Sequence, residues 1–93
     1  ETAGDLRLQA ELAIELARTL LSQGHKAGID PLIGRAESWM RDYPPALTTR
    51  ACQLARAGRQ AEARRLFERA RQAGTTADER TMGWCPGWNA PPN

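Results

Sequence analysis

The chain has 93 residues, of which 41% are hydrophobic and 5% aromatic, with 13 basic and 11 acidic side chains and a net charge of +2. That length holds one small domain with a modest core, and a charge so near neutrality argues against a general nucleic-acid binder. No run reaches the roughly 18 consecutive apolar residues that a membrane-spanning helix needs. Alanine, leucine and arginine dominate, a composition that favours helices. The chain opens on Glu1 rather than Met and shows no signal peptide, as expected of an excised or processed piece.

Residues 1–5 read as a lead-in, with Thr2 and Asp5 as candidate helix caps and Asp5, directly before Leu6, the better one. A first helix is predicted over Leu6–Gln23, stopped by Gly24. Leu6, Ala10, Ala13, Leu16, Ala17 and Leu20 form its expected core stripe, while Leu8, Leu12, Ile14 and Leu21 lie partly outside it. A helix apolar on more than one face is covered on two sides or lies at an interface. Asp30 before Pro31 is an N-cap signal, so the second helix is expected from Pro31 to about Asp42, leaving Ala27 and Ile29 in a loop. Its inward residues are Leu32, Ile33, Ala36 and Met40, with Trp39 at the edge of the stripe. Tyr43 precedes Pro44 and marks a break.

The third helix is predicted over Pro45–Ala57 with Leu47, Ala51 and Leu54 on one face. The fourth follows a tight turn at Gly58 and runs over Gln60–Ala73 with Ala63, Leu66, Phe67 and Ala70 on one face and Gly74 as C-cap. Thr76 and Glu79 form a capping-box signature for a short helix at 77–82. The stretch from Gly83 to Asn93 is too rich in Gly and Pro for regular helix, and its Trp84 and Trp88 are expected to cap the open end of the last hairpin.

Sliding the sequence by 34 residues superposes the two hairpins: Ala17 falls on Ala51, Leu20 on Leu54, Gly24 on Gly58, Leu32 on Leu66, Ile33 on Phe67 and Ala36 on Ala70. The second copy carries Leu47, Arg50-Ala51, Leu54, Ala63 and Phe67, and the first Ala13, Leu16-Ala17, Leu20, Ile29 and Ile33. On those residues, and over roughly residues 10–75, the chain resembles the tetratricopeptide repeat family. It departs from the family pattern at Arg50, where Leu is expected, at Leu20 and Leu54, where Tyr is expected, and at Thr75, where Pro is expected. The resemblance implies an all-α fold of two hairpins, over residues 6–43 and 44–75, followed by a short capping helix and irregular tail over 76–93. It also implies a concave groove lined by the first helix of each hairpin, here Ile14, Arg18, Leu21, Ser22, Thr48, Cys52, Ala55 and Arg56. In such a groove Arg18 and Arg56 hold a carboxylate and Ile14 and Leu21 seat an apolar anchor. The Lys and Asn with which some members clamp a C-terminal carboxylate are missing. By analogy of fold, the nearest relatives in role are bacterial helical-repeat chaperones and accessory domains of envelope or secretion machines.

No catalytic signature is present, and an enzyme is not expected. His25, the sole histidine, sits in a glycine-flanked turn. His25, Cys52 and Cys85 are too few and too scattered for a metal site, and no cofactor is expected. Cys52 and Cys85 are 33 positions apart; a disulfide and two free thiols both remain open. Residues 1–42 hold five basic and seven acidic side chains, residues 43–74 seven arginines and two glutamates. The arginine-rich part reads first as a solvated face with pairs such as Glu68–Arg71 and Arg64–Glu68, and second as a surface for an anionic partner. The expected function is a non-catalytic scaffold that binds a peptide or helix of another protein. The alternatives are an appended structural or substrate-positioning domain of a larger protein and a homo-oligomerising module such as a homodimer; a repeat count below the usual three and the apolar first helix point to either. No compartment is assigned.

Overall fold

A computed structural model describes residues 3–25, 27–75 and 85. The described residues form four helices: α1 (Ala3–Ser22), α2 (Ile29–Trp39), α3 (Pro44–Arg56) and α4 (Gln60–Gly74). The architecture is all-helical. α1 packs against α2 and α3 against α4, and the two hairpins meet where α3 touches both α1 and α2. The expected capping box at Thr76 and Glu79, the short helix at 77–82 and the cap by Trp84 and Trp88 lie outside the described residues.

Helix α1 begins at Ala3, earlier than the expected Leu6, so Asp5 is not a cap. Its carboxylate lies in the first turn, where it meets the positive end of the helix dipole. Helix α2 departs further from expectation, starting at Ile29 and ending at Trp39 instead of running from Pro31 to Asp42. Gly28 takes φ 84°, a left-handed conformation suited to glycine, and the helix begins at the next residue. Asp30 is then the second helical residue rather than the cap. Pro31 is third, where its missing N–H costs nothing because the first-turn amides have no intrahelical partner. At the other end, Met40 is extended and Asp42 has φ 57°, so the chain has left the helix by then. Helices α3 and α4 keep their expected positions to within one residue at either end.

The gain from the early start of α2 is the burial of Ile29, which is 1% exposed. Full burial of an isoleucine is worth roughly 1.5–3 kcal/mol, more than a capping bond at Asp30 offers. Burial also repeats at the 34-residue spacing. Ala17 and Ala51, Ile29 and Ala63, Ile33 and Phe67, and Ala36 and Ala70 are buried in pairs, and Leu20 with Leu54 and Leu32 with Leu66 are half-buried in pairs. Gly24 and Gly58 match as well, with φ 83° and 86°. Small residues hold the hairpins close, since Ala17, Ala36, Ala51, Ala63 and Ala70 are all fully buried. Trp39 and Tyr43 pack edge to face at 5.0 Å, filling the corner between α2 and α3.

The core stripe of α1 is rotated from the expected one. Ala10, Ala13 and Ala17 are buried, but Leu6 and Leu16 are 40% and 51% exposed, and Ile14 and Leu21 take their place at 3% each. The reason is that α1 packs on α2 and α3 together, so its buried arc turns toward the Ile14 and Leu21 side. Met40, expected inward on α2, is also exposed, because it lies past the helix end. This rotation predicts that Ile14→Ala costs ~2–4 kcal/mol in urea unfolding while Leu16→Ala stays within about 1 kcal/mol; equal losses would contradict it.

Candidate functional site

The seam between α1 and α3 is built from paired prolines, two buried threonines and two arginines. Pro44 and Pro45 start α3, a position that proline tolerates because first-turn N–H groups have no helical acceptor. Thr48 and Thr49, fully buried in the next turn, donate their hydroxyl protons back to the proline carbonyls: Thr48 Oγ1 to Pro44 O at 3.2 Å and Pro45 O at 3.1 Å, Thr49 Oγ1 to Pro45 O at 2.6 Å. That leaves the hydroxyl oxygens as acceptors facing α1. Arg18 uses them, with Nε donating to Thr49 Oγ1 at 2.9 Å and Nη2 to Thr48 Oγ1 at 3.0 Å and Pro45 O at 3.3 Å. At the other end of the seam Arg56 Nη1 donates to Leu21 O at 2.7 Å, satisfying one of the last carbonyls of α1. A guanidinium at a helix C-terminus also complements the dipole.

The eight residues expected to line an open groove therefore have other surroundings. Ile14, Leu21, Thr48, Cys52 and Ala55 are buried, at 6% exposure or less. Arg18 and Arg56 tie α1 to α3. Ser22 is exposed, and its hydroxyl donates to Thr19 O at 2.8 Å. Five of the eight are thus packed inside instead of lining an open groove, while Arg18, Ser22 and Arg56 border surface pockets. The correction has a physical cause: the hairpins pack closely enough that the side of α1 facing α3 is core.

Cys52 and Cys85 are joined in a disulfide and leave no free cysteine. Cys52 is fully buried and Cys85 is 6% exposed, and both belong to the same core cluster as Ile14, Leu21 and Ala55. Cys52 is the residue 34 positions after Arg18, the side chain with which α1 holds the next hairpin. The bond holds Cys85 against α3 within that cluster.

The remaining arginines of the basic half are largely paired. Arg50 spans to α2 through Asp30 Oδ1 at 3.2 Å and Glu37 Oε1 at 3.0 Å. Arg69 pairs with Asp42, Arg59 with Glu62, and Arg71 with Glu68 at 2.8 Å. These pairs are mostly exposed, and each is worth no more than about 1 kcal/mol.

Two outward features are left. The first is a row on α1 at four-residue spacing, Leu8, Leu12 and Leu16, exposed by 55%, 60% and 51%. The second is a groove of about 510 Å³ between α3 and α4, floored by Leu54 and Leu66 and rimmed by Arg50, Glu62, Arg65 and Arg69. The row was signalled in the sequence by a helix apolar on more than one face. The groove was not, because its floor residues belong to the expected core stripes. Among the described residues no group of His, Cys, Asp or Glu is clustered to hold a metal ion, and no helix is long and apolar enough to cross a membrane. No family model matches this chain, nor do the curated sequences or solved structures compared with it.

Two outcomes test the seam. Arg18→Met should cost about 1.5–3 kcal/mol in urea unfolding, the value of charge-assisted bonds to part-buried acceptors, with little recovery in Arg18→Lys, which lacks the fork. Reduction of the Cys52–Cys85 bond, which spans 33 residues, should lower stability by about 3–4 kcal/mol in the chain-entropy description. Unfolding curves that coincide with and without reductant would contradict the second.

Proposed function

We propose that the chain is a non-catalytic, tetratricopeptide-like module that binds another protein, and that it does so through the outer face of α1 rather than through the α1–α3 seam. The observation that carries this reading is the exposed row Leu8, Leu12 and Leu16. In a chain of 93 residues, three consecutive leucines of one helical row more than half exposed make a contiguous apolar patch. A solvated face of a helix is ordinarily polar.

The repeat register supports the same face. Leu12 and Leu16 stand 34 residues before Ala46 and Arg50. Ala46 is fully buried and Arg50 reaches across to α2, so those positions on α3 meet the preceding hairpin. On α1 the equivalent positions carry leucines and face outward. An amphipathic helix laid along them would be held by apolar anchors at four-residue spacing. The appended-domain alternative uses the same face for a neighbouring part of a larger protein.

The test compares the wild-type chain with Leu12→Glu/Leu16→Glu and with the control Ser38→Glu as baits in native cell extract. The expected outcome is a set of captured proteins retained by the control and reduced at least about tenfold by the double variant. Identical capture by all three baits would overturn the reading. Circular dichroism should be unchanged in the double variant, because both side chains are already more than half in solvent.

A further inference from the structure

The leucine row and the α3–α4 groove are on different elements of one chain, and they match in length and apolar character and carry exposed charges of opposite sign, Glu15 and Arg65. The row is apolar and exposed. From Leu8 to Leu16 it extends ~12 Å at 1.5 Å per residue. The groove is shallow and open, and its α4 wall from Glu62 to Arg69 extends ~10 Å by the same rise. Its floor is Leu54 and Leu66.

The charges around the two surfaces are of opposite sign. Helix α1 carries Asp5, Glu11 and Glu15 against Arg7 and Arg18, and Arg18 is turned into the seam with α3. The rim of the groove carries Arg50, Arg65 and Arg69 together with Glu62, which pairs with Arg59. Glu11 pairs with Arg7 at 3.1 Å. Glu15 lies one turn from both Glu11 and Thr19 along the flank of the row and is exposed. On the rim of the groove, Arg65 is exposed, while Arg50 and Arg69 hold acidic residues of α2 and of the turn after it.

We propose that the occupant of the leucine row is a second copy of this chain: the row on α1 of one copy seats in the α3–α4 groove of the next, with Glu15 set toward Arg65. This rests on the reading of α1 as a protein-binding face and names its partner. Row against row is the disfavoured arrangement. With antiparallel helices it brings the Arg7, Glu11 and Glu15 flanks of both copies to the same side, where Arg7 is already held by Glu11 and the two Glu15 carboxylates repel. A row-in-groove contact is heterologous: each copy keeps one free row or one free groove, so growth beyond two copies follows unless the rotation closes a ring.

Sedimentation of the purified, oxidised full chain tests this over a range of concentrations, alone and with three variants. Leu12→Arg spoils the row by setting a charge against the apolar floor of Leu54 and Leu66. Leu66→Glu spoils the groove, and Arg65→Glu alters only an exposed rim residue, so it keeps the test alive if Leu66→Glu does not fold. Wild type should associate with rising concentration and weaken with salt. Leu12→Arg and Leu66→Glu should each stay monomeric, and Arg65→Glu should associate several-fold more weakly. An equimolar mixture of Leu12→Arg with Leu66→Glu should give a species that stops at two copies, because only one intact row and one intact groove remain. Association of both groove variants at the wild-type level, with Leu12→Arg alone monomeric, overturns the proposal in favour of row against row. A wild type that stays monomeric also overturns it. If Leu12-dependent capture from extract then persists, the protein-binding reading survives with a different partner; if it does not, both fall.

Discussion

The contact between α1 and α3 determines where every other part of the chain lies. Two hairpins of this size cannot each bury an apolar face alone, and α1 is the helix that must serve both. It does so with one continuous buried arc from Ala10 through Ala17 to Leu21, in which alanines allow close approach and Ile14 and Leu21 fill the gap toward α3. The polar groups left in that crossing are matched one to another. The threonine hydroxyls satisfy proline carbonyls, Arg18 satisfies the hydroxyl oxygens, and Arg56 satisfies the end of α1. Buried polar groups without partners would cost about 1–3 kcal/mol each, a serious loss for a small domain.

Turning α1 toward α3 has a consequence on its opposite side. The helix carries more leucines than two neighbours can cover, and those at positions 8, 12 and 16 are left in solvent. On α3, Cys52 is covalently joined to Cys85 and both are buried. The exposed leucines of α1 direct the functional reading toward that helix.

Much of the fold was legible from spacing. Four helices, their turns at Gly24 and Gly58, and the 34-residue register followed from apolar residues at three- and four-residue intervals with glycine between them. Two elements depart from their spacing for physical reasons. At Asp30-Pro31 a local capping signal competes with the burial of Ile29, and burial wins because it stabilises the helix start by more than one capping bond would. In α1, apolar residues occur around most of the circumference, so periodicity alone does not select the inward arc; the choice depends on α3, which lies some 30 residues further along the sequence. The same ambiguity displaces the groove residues, since Ile14 and Leu21 face outward only if Leu6 and Leu16 face inward. The pairing of Cys52 with Cys85 depends on where the chain after α4 returns, and spacing carries no information about that.

The orientation of α1 underlies both the seam and the exposed row, and methyl NMR with a soluble paramagnetic agent reports it directly. The account predicts strong broadening of the Leu8, Leu12 and Leu16 methyls in dilute monomeric protein, with Ile14, Leu21, Ile29 and Ile33 protected. Protected Leu16 methyls together with broadened Ile14 and Leu21 methyls would contradict it, restoring the open groove and removing the leucine row as a binding face.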